Sequence, residues 1–195
     1  MTALVAAAAA GVGAGVLTAQ LQGVLSADWN TIANSGAVWT VVTFALTALL
    51  ARTQTVAMAA GMLALVGEVI GYYGWAAAVR HVPVTHAEEL LWTMAALWIG
   101  PLVGLAAFHV RWGSARQRIV AAAAMAGVVA GEGLYLIRIA GVPRSGWVEV
   151  ALAAAITGWM VAVNPTETRL RVAAVGAGGF TAAAVYVAYR LPMLG

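Results

Sequence analysis

The sequence predicts an all-α fold, a polytopic transmembrane helical bundle of about seven spans that forms a single domain over residues 1–195. The chain is 63% hydrophobic and only 9% charged. Apolar stretches of about 16 to 25 residues succeed one another along it, and about 20 apolar residues are enough to cross a bilayer. Glu68 and Glu132 lie deep inside two of these stretches. An ionisable side chain there costs at least ~2.5 kcal/mol and usually faces a protein interior or a wet cavity. These observations exclude a soluble globular protein.

The first apolar stretch is interpreted as a retained span and not as a signal peptide. It lacks a basic segment before it, and its apolar run exceeds the ~7 to 15 residues of a signal sequence. Each later span follows a short polar or proline-containing break, such as the polar stretch 26–34. Gly100-Pro101 predicts an interruption within the fourth span. The predicted spans are 3–25, 36–51, 55–79, 88–110, 118–139, 147–163 and 170–191.

The arginines predict the orientation in the cell membrane, because cytoplasmic loops carry the excess of basic residues. One face would hold Arg52, Arg111, Arg116, Arg118, Arg169 and Arg171, and the other Arg80, Arg138, Arg144 and Arg190. We therefore expect a cytoplasmic N-terminus and an outside C-terminus. The outer face would also carry the acidic residues Asp28, Glu88, Glu89 and Glu149.

Several function classes are disfavoured by what the sequence lacks. Without cysteine there is no disulfide, thiolate metal site or cysteine nucleophile. Without lysine there is no Schiff base, which excludes a seven-helix retinal protein. No basic cluster with interleaved aromatic residues indicates a nucleic-acid partner, and no hydrolase, nucleotide-binding or zinc-protease motif is present. His81 and His86 with Glu88 and Glu89 are interpreted as a solvated loop. We expect no enzyme activity, catalytic residue, metal or cofactor.

Small residues recur at every fourth position on the odd-numbered spans. This spacing lets helix backbones approach closely in lipid and predicts interior seams or dimer faces. Gly11, Gly15 and Ala19 are the predicted packing residues of the first span. The other odd-numbered spans carry similar series of small residues, and a Trp-Thr pair recurs on the even-numbered spans as Trp39-Thr40 and Trp92-Thr93. Together these recurrences suggest helix-pair repeats plus one extra helix. The other series are Ala60, Ala64, Glu68 and Tyr72; Ala123, Gly127, Gly131 and Tyr135; and Ala174, Gly178, Ala182 and Tyr186.

The candidate ligand- or ion-binding residues centre on the two buried glutamates. Glu68 lies one helical turn from Tyr72, and Glu132 shares a face with Tyr135. Both carboxylates would lie on the order of 10 Å below the outer boundary and could bind a cation or relay protons. The structural alternative is an interhelical hydrogen bond or ion pair, with Arg138 and the tyrosines as partners.

Capping residues and tryptophans complete the candidate site. Asn34 and Ser35, Thr85 with Glu88, and Ser145 precede predicted inward-running helices, whose positive ends could receive an anionic group of a solute. The alternative is that these residues only cap their helices. Trp39 and Trp92, together with Trp75, could form an aromatic box for a cationic ligand.

The most consistent function is binding or transport of a small polar solute or ion from the outer face, with the glutamates as cation or proton sites. The expected partners are the lipid bilayer and that solute. The alternative is a non-transporting scaffold or accessory subunit, either a homo-oligomer or a subunit that docks a membrane partner through the small-residue face of the first helix. An intramembrane enzyme is a third interpretation.

Two segments carry a family resemblance: Asn34 to Trp39, which reads NSGAVW, and Gly67 to Tyr73, which reads GEVIGYY. With them the chain resembles, over most of its length, a family of small polytopic bacterial membrane proteins of unknown function. The resemblance implies an integral membrane protein of bacterial origin. More distantly, the size and the small-residue first helix are similar to the substrate-binding subunits of energy-coupling-factor vitamin transporters, which have six helices.

Overall fold

The structure, a computed structural model, describes residues 2–81, 83, 85–163 and 168–190, and all regular structure within these ranges is helical. The helix Ala115–Tyr135, labelled α6, continues into a π-helical turn, Leu136–Ala140, that ends at Gly141 with a φ of 70°. The helices are α1 Thr2–Val24, α2 Ala27–Ala33, α3 Gly36–Leu50, α4 Gln54–Ala78, α5 His86–Trp112, α6 Ala115–Tyr135, α7 Pro143–Val163 and α8 Thr168–Arg190. The predicted all-α class is therefore confirmed.

Six stretches of the described chain are long and apolar enough to cross a membrane. They are Thr2–Val24, Trp29–Leu50, Gln54–Ala78, His86–Trp112, Ala115–Ala140 and Leu170–Arg190. The remaining predicted span, 147–163, lies within α7, which is 21 residues long. These features fit a multi-pass membrane protein. The side of the membrane on which each terminus lies stays a prediction.

Two predicted irregularities are helical in the structure. The predicted polar break at 26–34 contains the short helix α2. The predicted interruption of the fourth span at Gly100-Pro101 was wrong, because α5 runs continuously through Pro101. Proline removes one backbone donor but does not have to end a helix. Within a membrane the other backbone groups have no water to bind, so continuing the helix costs less than exposing them.

Local capping sets the start of several helices. Ser114 and Gln117 form a reciprocal capping box before α6: the Gln117 backbone N–H donates to Ser114 Oγ, and the Ser114 N–H donates to Gln117 Oε1. Thr53 accepts a hydrogen bond from the Val56 N–H at the start of α4. Thr85 caps α5, accepting from the Glu88 N–H and donating to the Glu88 carboxylate, as its sequence spacing predicts.

The chain divides into two compact units. The first comprises Met1–Asn34 and Val38–Phe108, and the second Ser35–Ala37 and His109–Gly195. In the first unit α1 packs along α4 with backbone against backbone. A Cβ atom added to Gly11 would overlap the carbonyl oxygen of Ala64, and one added to Gly15 would overlap that of Glu68. The glycines are therefore required for this helix pair to close.

In the first unit, another glycine contact packs α5 against α4. A Cβ atom on Gly104 would overlap the Ala57 carbonyl oxygen. Apolar side chains fill the remaining space in two clusters, one around Trp39, Leu65, Val69 and Ala96 and the other around Ala7, Ala60 and Ala64. Helix α4 thus lies at the centre of the first unit, and its buried residues extend from Ala57 to Ala76.

In the second unit α6 holds the corresponding central position. Its Gly127 and Gly131 lie against the carbonyl oxygens of Gly178 and Ala182 on α8, so the predicted small-residue stripes of these two spans meet each other. On another side, Gly133 of α6 lies against Gly146 of α7. Ile119, Ala122 and Met160 form an apolar cluster with partly buried neighbours. Both buried glutamates singled out from the sequence therefore lie on the central helices of their units.

Candidate functional site

Glu68 lies in the interior of the first unit, with only 1% of its surface exposed. Its Oε1 atom accepts a hydrogen bond of 3.0 Å from the hydroxyl of Thr43, which is fully buried on α3. Thr43 belongs to a polar stripe on that helix, together with Thr40 and Thr47, whose three- and four-residue spacing places all three on one face. The carboxyl group of Glu68 therefore packs against an uncharged polar face of α3.

Replacing Thr43 with valine should lower the free energy of unfolding by about 1 to 3 kcal/mol, because the buried Glu68 carboxyl would lose a hydrogen-bond donor. Thr47 provides a matched control on the same helix. It is equally buried, but its hydroxyl has no hydrogen-bond partner among the described residues. Thr47→Val should be neutral or stabilising, since it removes an unsatisfied polar group. Equilibrium unfolding in detergent compares the two variants, and equal losses would contradict the assigned contact.

Tyr72 has polar and aromatic partners other than Glu68. Its hydroxyl donates a 2.6 Å hydrogen bond to Gln22 Oε1 on α1, and its ring meets the buried Trp39 ring edge-on at 5.4 Å. The indole N–H of Trp39 has no hydrogen-bond partner in the described part of the chain. Trp92, by contrast, is 38% exposed on α5, and Trp75 lines a surface groove. The three tryptophans proposed as an aromatic box therefore have three different surroundings.

The groove at the ends of α1 and α4 has a volume of about 470 Å³. Gln20, Trp75 and Arg80 supply its polar and aromatic lining, and Leu17, Leu21, Gly23 and Val24 complete it. Arg80 Nη1 donates a 3.0 Å hydrogen bond to the Ala19 carbonyl oxygen, which holds the guanidinium group beside α1. The groove thus offers a positive charge, an amide and an aromatic ring. By the predicted orientation it opens to the outer face.

The predicted packing face of α1 is covered by the same chain. Gly11, Gly15 and Ala19 are buried within the first unit, the two glycines against the α4 backbone. A partner helix could not approach these three residues without displacing α4. The face that the sequence offered for docking a second subunit is therefore an internal contact.

Glu132 is 3% exposed in the second unit and accepts two hydrogen bonds on one oxygen. The donors to Oε2 are the Ala37 backbone N–H, at 2.5 Å, and the Tyr189 hydroxyl, at 3.0 Å. Ala37 lies in the first turn of α3, where N–H groups lack helical partners, so the carboxylate of Glu132 satisfies one of them. The positive end of the helix dipole also favours a negative charge there.

Tyr135 reaches the carboxyl of Glu132 indirectly. Its buried ring stacks on the ring of Tyr189, with centroids 5.0 Å apart and planes inclined by 28°. Tyr135 thereby helps to position the hydroxyl group that donates to Glu132. Arg138, the ion-pair partner considered from the sequence, is exposed on the π-helical turn.

The predicted capping residues Asn34 and Ser35 have separate roles. Asn34 is exposed and ends α2, where its backbone N–H donates to the Asn30 carbonyl oxygen. Ser35 is fully buried, and its hydroxyl interacts with the carboxyl groups of Glu132 and Glu149. The start of α3, expected to receive an anionic group of a solute, thus already receives the carboxyl of Glu132.

Sequence reasoning placed Glu149 with the acidic residues of the outer face and did not single it out as a buried candidate. The structure places it in α7 with 3% of its surface exposed, where the charge of Glu132 acts on it. Two signals could have found it: an apolar run begins at once after it, and Ser145, also buried, lies one helical turn before it. The donors Thr43 and Tyr189 were missed as well.

The histidine and glutamate cluster, predicted as a solvated loop, lies partly in a helix, because His86, Glu88 and Glu89 belong to the first turn of α5. His86, Glu88 and the described His81 are exposed. Within the described ranges, no group of three or more histidine, aspartate or glutamate side chains is placed to hold a metal ion.

Comparison with known proteins gives one match. A family described as a family of unknown function (DUF6518) matches residues 1–194. No curated protein and no solved structure has a significant match to the chain. The suggested likeness to substrate-binding subunits of energy-coupling-factor transporters is not supported. The chain therefore belongs to this family of unknown function, over nearly its whole length.

Proposed function

We propose that the protein binds or transports a small polar solute or ion from the outer face of the membrane, with Glu68 and Glu132 as cation or proton sites. The observation that carries the proposal is the burial of both carboxyl groups, which are 1% and 3% exposed. An ionised carboxyl group without a compensating charge is costly in such a place. Each of these groups is hydrogen-bonded to neutral donors, Thr43 for one and Ala37 and Tyr189 for the other.

Neutral partners matter because they leave the charge of the carboxyl group uncompensated. A buried structural carboxylate is ordinarily paired with arginine or lysine. Here the chain has no lysine, and Arg138 is exposed. A proton or a cation from outside the chain can supply the compensation, and its exchange is the property that ion-coupled membrane proteins use.

The groove lined by Gln20, Trp75 and Arg80 supports the solute part of the proposal. It is an open surface groove of about 470 Å³, so a solute would be only partly enclosed there. A guanidinium group suits a carboxylate or phosphate of the solute, and the indole ring suits a flat apolar part or a second cation. The groove therefore favours a small anionic or zwitterionic solute.

Native mass spectrometry of the protein released gently from its own membrane tests this proposal. We expect a retained small molecule other than lipid, which Arg80→Gln should reduce. Arg138→Gln is the control, since it removes an exposed arginine from the same predicted side of the membrane. A chain that carries no small molecule but binds a second polypeptide at fixed stoichiometry would contradict the proposal and favour an accessory subunit.

A further inference from the structure

Glu149 is a buried ionisable side chain of the second unit, with 3% of its surface exposed. Both of its carboxyl oxygens are shielded from solvent, and neither has a hydrogen-bond partner of good geometry among the described residues. The side chain leaves α7 next to α6, since a Cβ atom added to Gly133 would lie 3.1 Å from Glu149 Cβ. A carboxyl group is thus held between α6 and α7 without a well-placed hydrogen-bond donor among the described residues.

The groups that act on Glu149 come from three other elements, and none of those described is basic. Glu132 of α6 acts through its charge, and the Ser35 hydroxyl, just before α3, interacts with both carboxyl groups. Tyr189 of α8 donates a hydrogen bond to Glu132 and lies close enough to feel the charge of either glutamate. On α7 itself Arg144 is exposed, as is Arg138 on the π-helical turn.

The two carboxyl groups differ in how well their surroundings support a negative charge. Glu132 accepts hydrogen bonds from the Ala37 N–H and the Tyr189 hydroxyl, at the positive end of α3. Glu149 has no hydrogen bond of good geometry among the described residues, and the Ser35 hydroxyl is the one neutral group that favours its charge there. Two neighbouring carboxyl groups in a dry site cannot both ionise at low cost, so one of them is kept neutral. The hydrogen bonds favour the charge on Glu132 and the proton on Glu149.

We propose that Glu132 and Glu149 form a proton-exchange site in the second unit, in which Glu149 carries the exchangeable proton and Glu132 the negative charge. Binding converts the Glu149 carboxylate and a free proton into a neutral carboxylic acid, and release reverses that step without any other reactant. This inference rests on the proposed function and makes it more specific, because it names the proton as the ion and adds Glu149 as the residue that exchanges it.

Infrared spectroscopy of the reconstituted full-length protein, recorded over a pH series, tests the site. The C=O stretching band of a protonated carboxyl group should be present at low pH and be lost as the pH rises. Glu149→Gln should reduce that transition by one carboxyl group, and Glu88→Gln, which removes an exposed carboxyl group on α5, should leave it in place. Tyr189→Phe should shift the pH of the transition because it removes a donor from Glu132, whereas Tyr186→Phe on the same helix should not.

Two results would overturn the inference. One is a Glu149→Gln spectrum with the same pH-dependent band as the wild type. The other is loss of the band at constant pH when sodium replaces N-methylglucamine, which would identify a metal-cation site. If Glu149→Gln does not fold, Glu149→Asp keeps a titratable group and should shift the band, and an unshifted band would again count against the proposal. The experiment uses no solute, so failure to retain a solute would contradict the proposed function alone.

Discussion

Gly15→Ala is expected to lower the free energy of unfolding by about 1 to 3 kcal/mol or more, which is the usual cost of forcing an extra methyl group into a packed interior. The new Cβ atom would overlap the carbonyl oxygen of Glu68, and two further α4 backbone atoms lie close behind it. These atoms belong to a helix backbone and cannot rotate away as a flexible side chain could. Helices α1 and α4 would have to separate along their whole contact.

Gly13→Ala is the matched control for this prediction. It makes the same chemical change on the same helix, but the added Cβ atom would meet nothing within 4 Å. Alanine is also the better helix former, so this variant should be neutral or slightly stabilised. Denaturant unfolding of the purified protein in detergent, followed by circular dichroism, measures both variants. Equal stability of the two would contradict the close packing of α1 on α4.

Glu132→Leu is expected to have the second large effect. It would leave the Ala37 N–H and the Tyr189 hydroxyl without their acceptor, at a cost of about 1 to 3 kcal/mol for the buried N–H and less for the partly buried hydroxyl. Glu132→Gln keeps an oxygen acceptor of nearly the same shape and should retain most of the stability. The same unfolding experiment compares the two, and backbone hydrogen exchange at Ala37 should rise only in the leucine variant.

A leucine variant as stable as the wild type, with the Ala37 amide still protected, would show that Glu132 does not hold the start of α3. Tyr189→Phe separates the two donors, because it removes the hydroxyl but leaves the Ala37 contact. We expect it to cost about 1 kcal/mol, the usual net value of one hydrogen bond.

The sequence predicted the features that depend on composition and helical periodicity. Long apolar stretches gave the spans, and the four-residue spacing of small residues marked Gly15 and Gly131 as close-packing positions, where the structure has backbone contacts. Glu68 and Glu132 were found for a related reason. A charge inside an apolar stretch has few favourable places in a membrane, so its burial could be inferred without knowing its neighbours.

The features that were missed depend on which helices meet. Nothing local in the sequence indicates that Thr43 donates to Glu68 or Tyr189 to Glu132, since the partners are 25 and 57 residues apart. The burial of Glu149 was missed because it is close to the start of its span, where an acidic residue is ordinarily at the surface. Its burial follows from the approach of α7 to Gly133 of α6. The helical course through Pro101 likewise reflects the lack of competing water.

The central claim is that the buried glutamates exchange an ion and do not merely hold the helices together. The most direct measurement is proton flux into proteoliposomes that contain a pH-sensitive dye, under an imposed pH gradient. It compares the wild type with Glu68→Gln and Glu132→Gln. Unfolding stability is measured on the same preparations. We predict that the wild type conducts protons and that both glutamine variants fall to the level of empty vesicles while remaining folded. Unchanged flux in both variants, accompanied by a loss of stability, would contradict the claim and assign the glutamates a structural role.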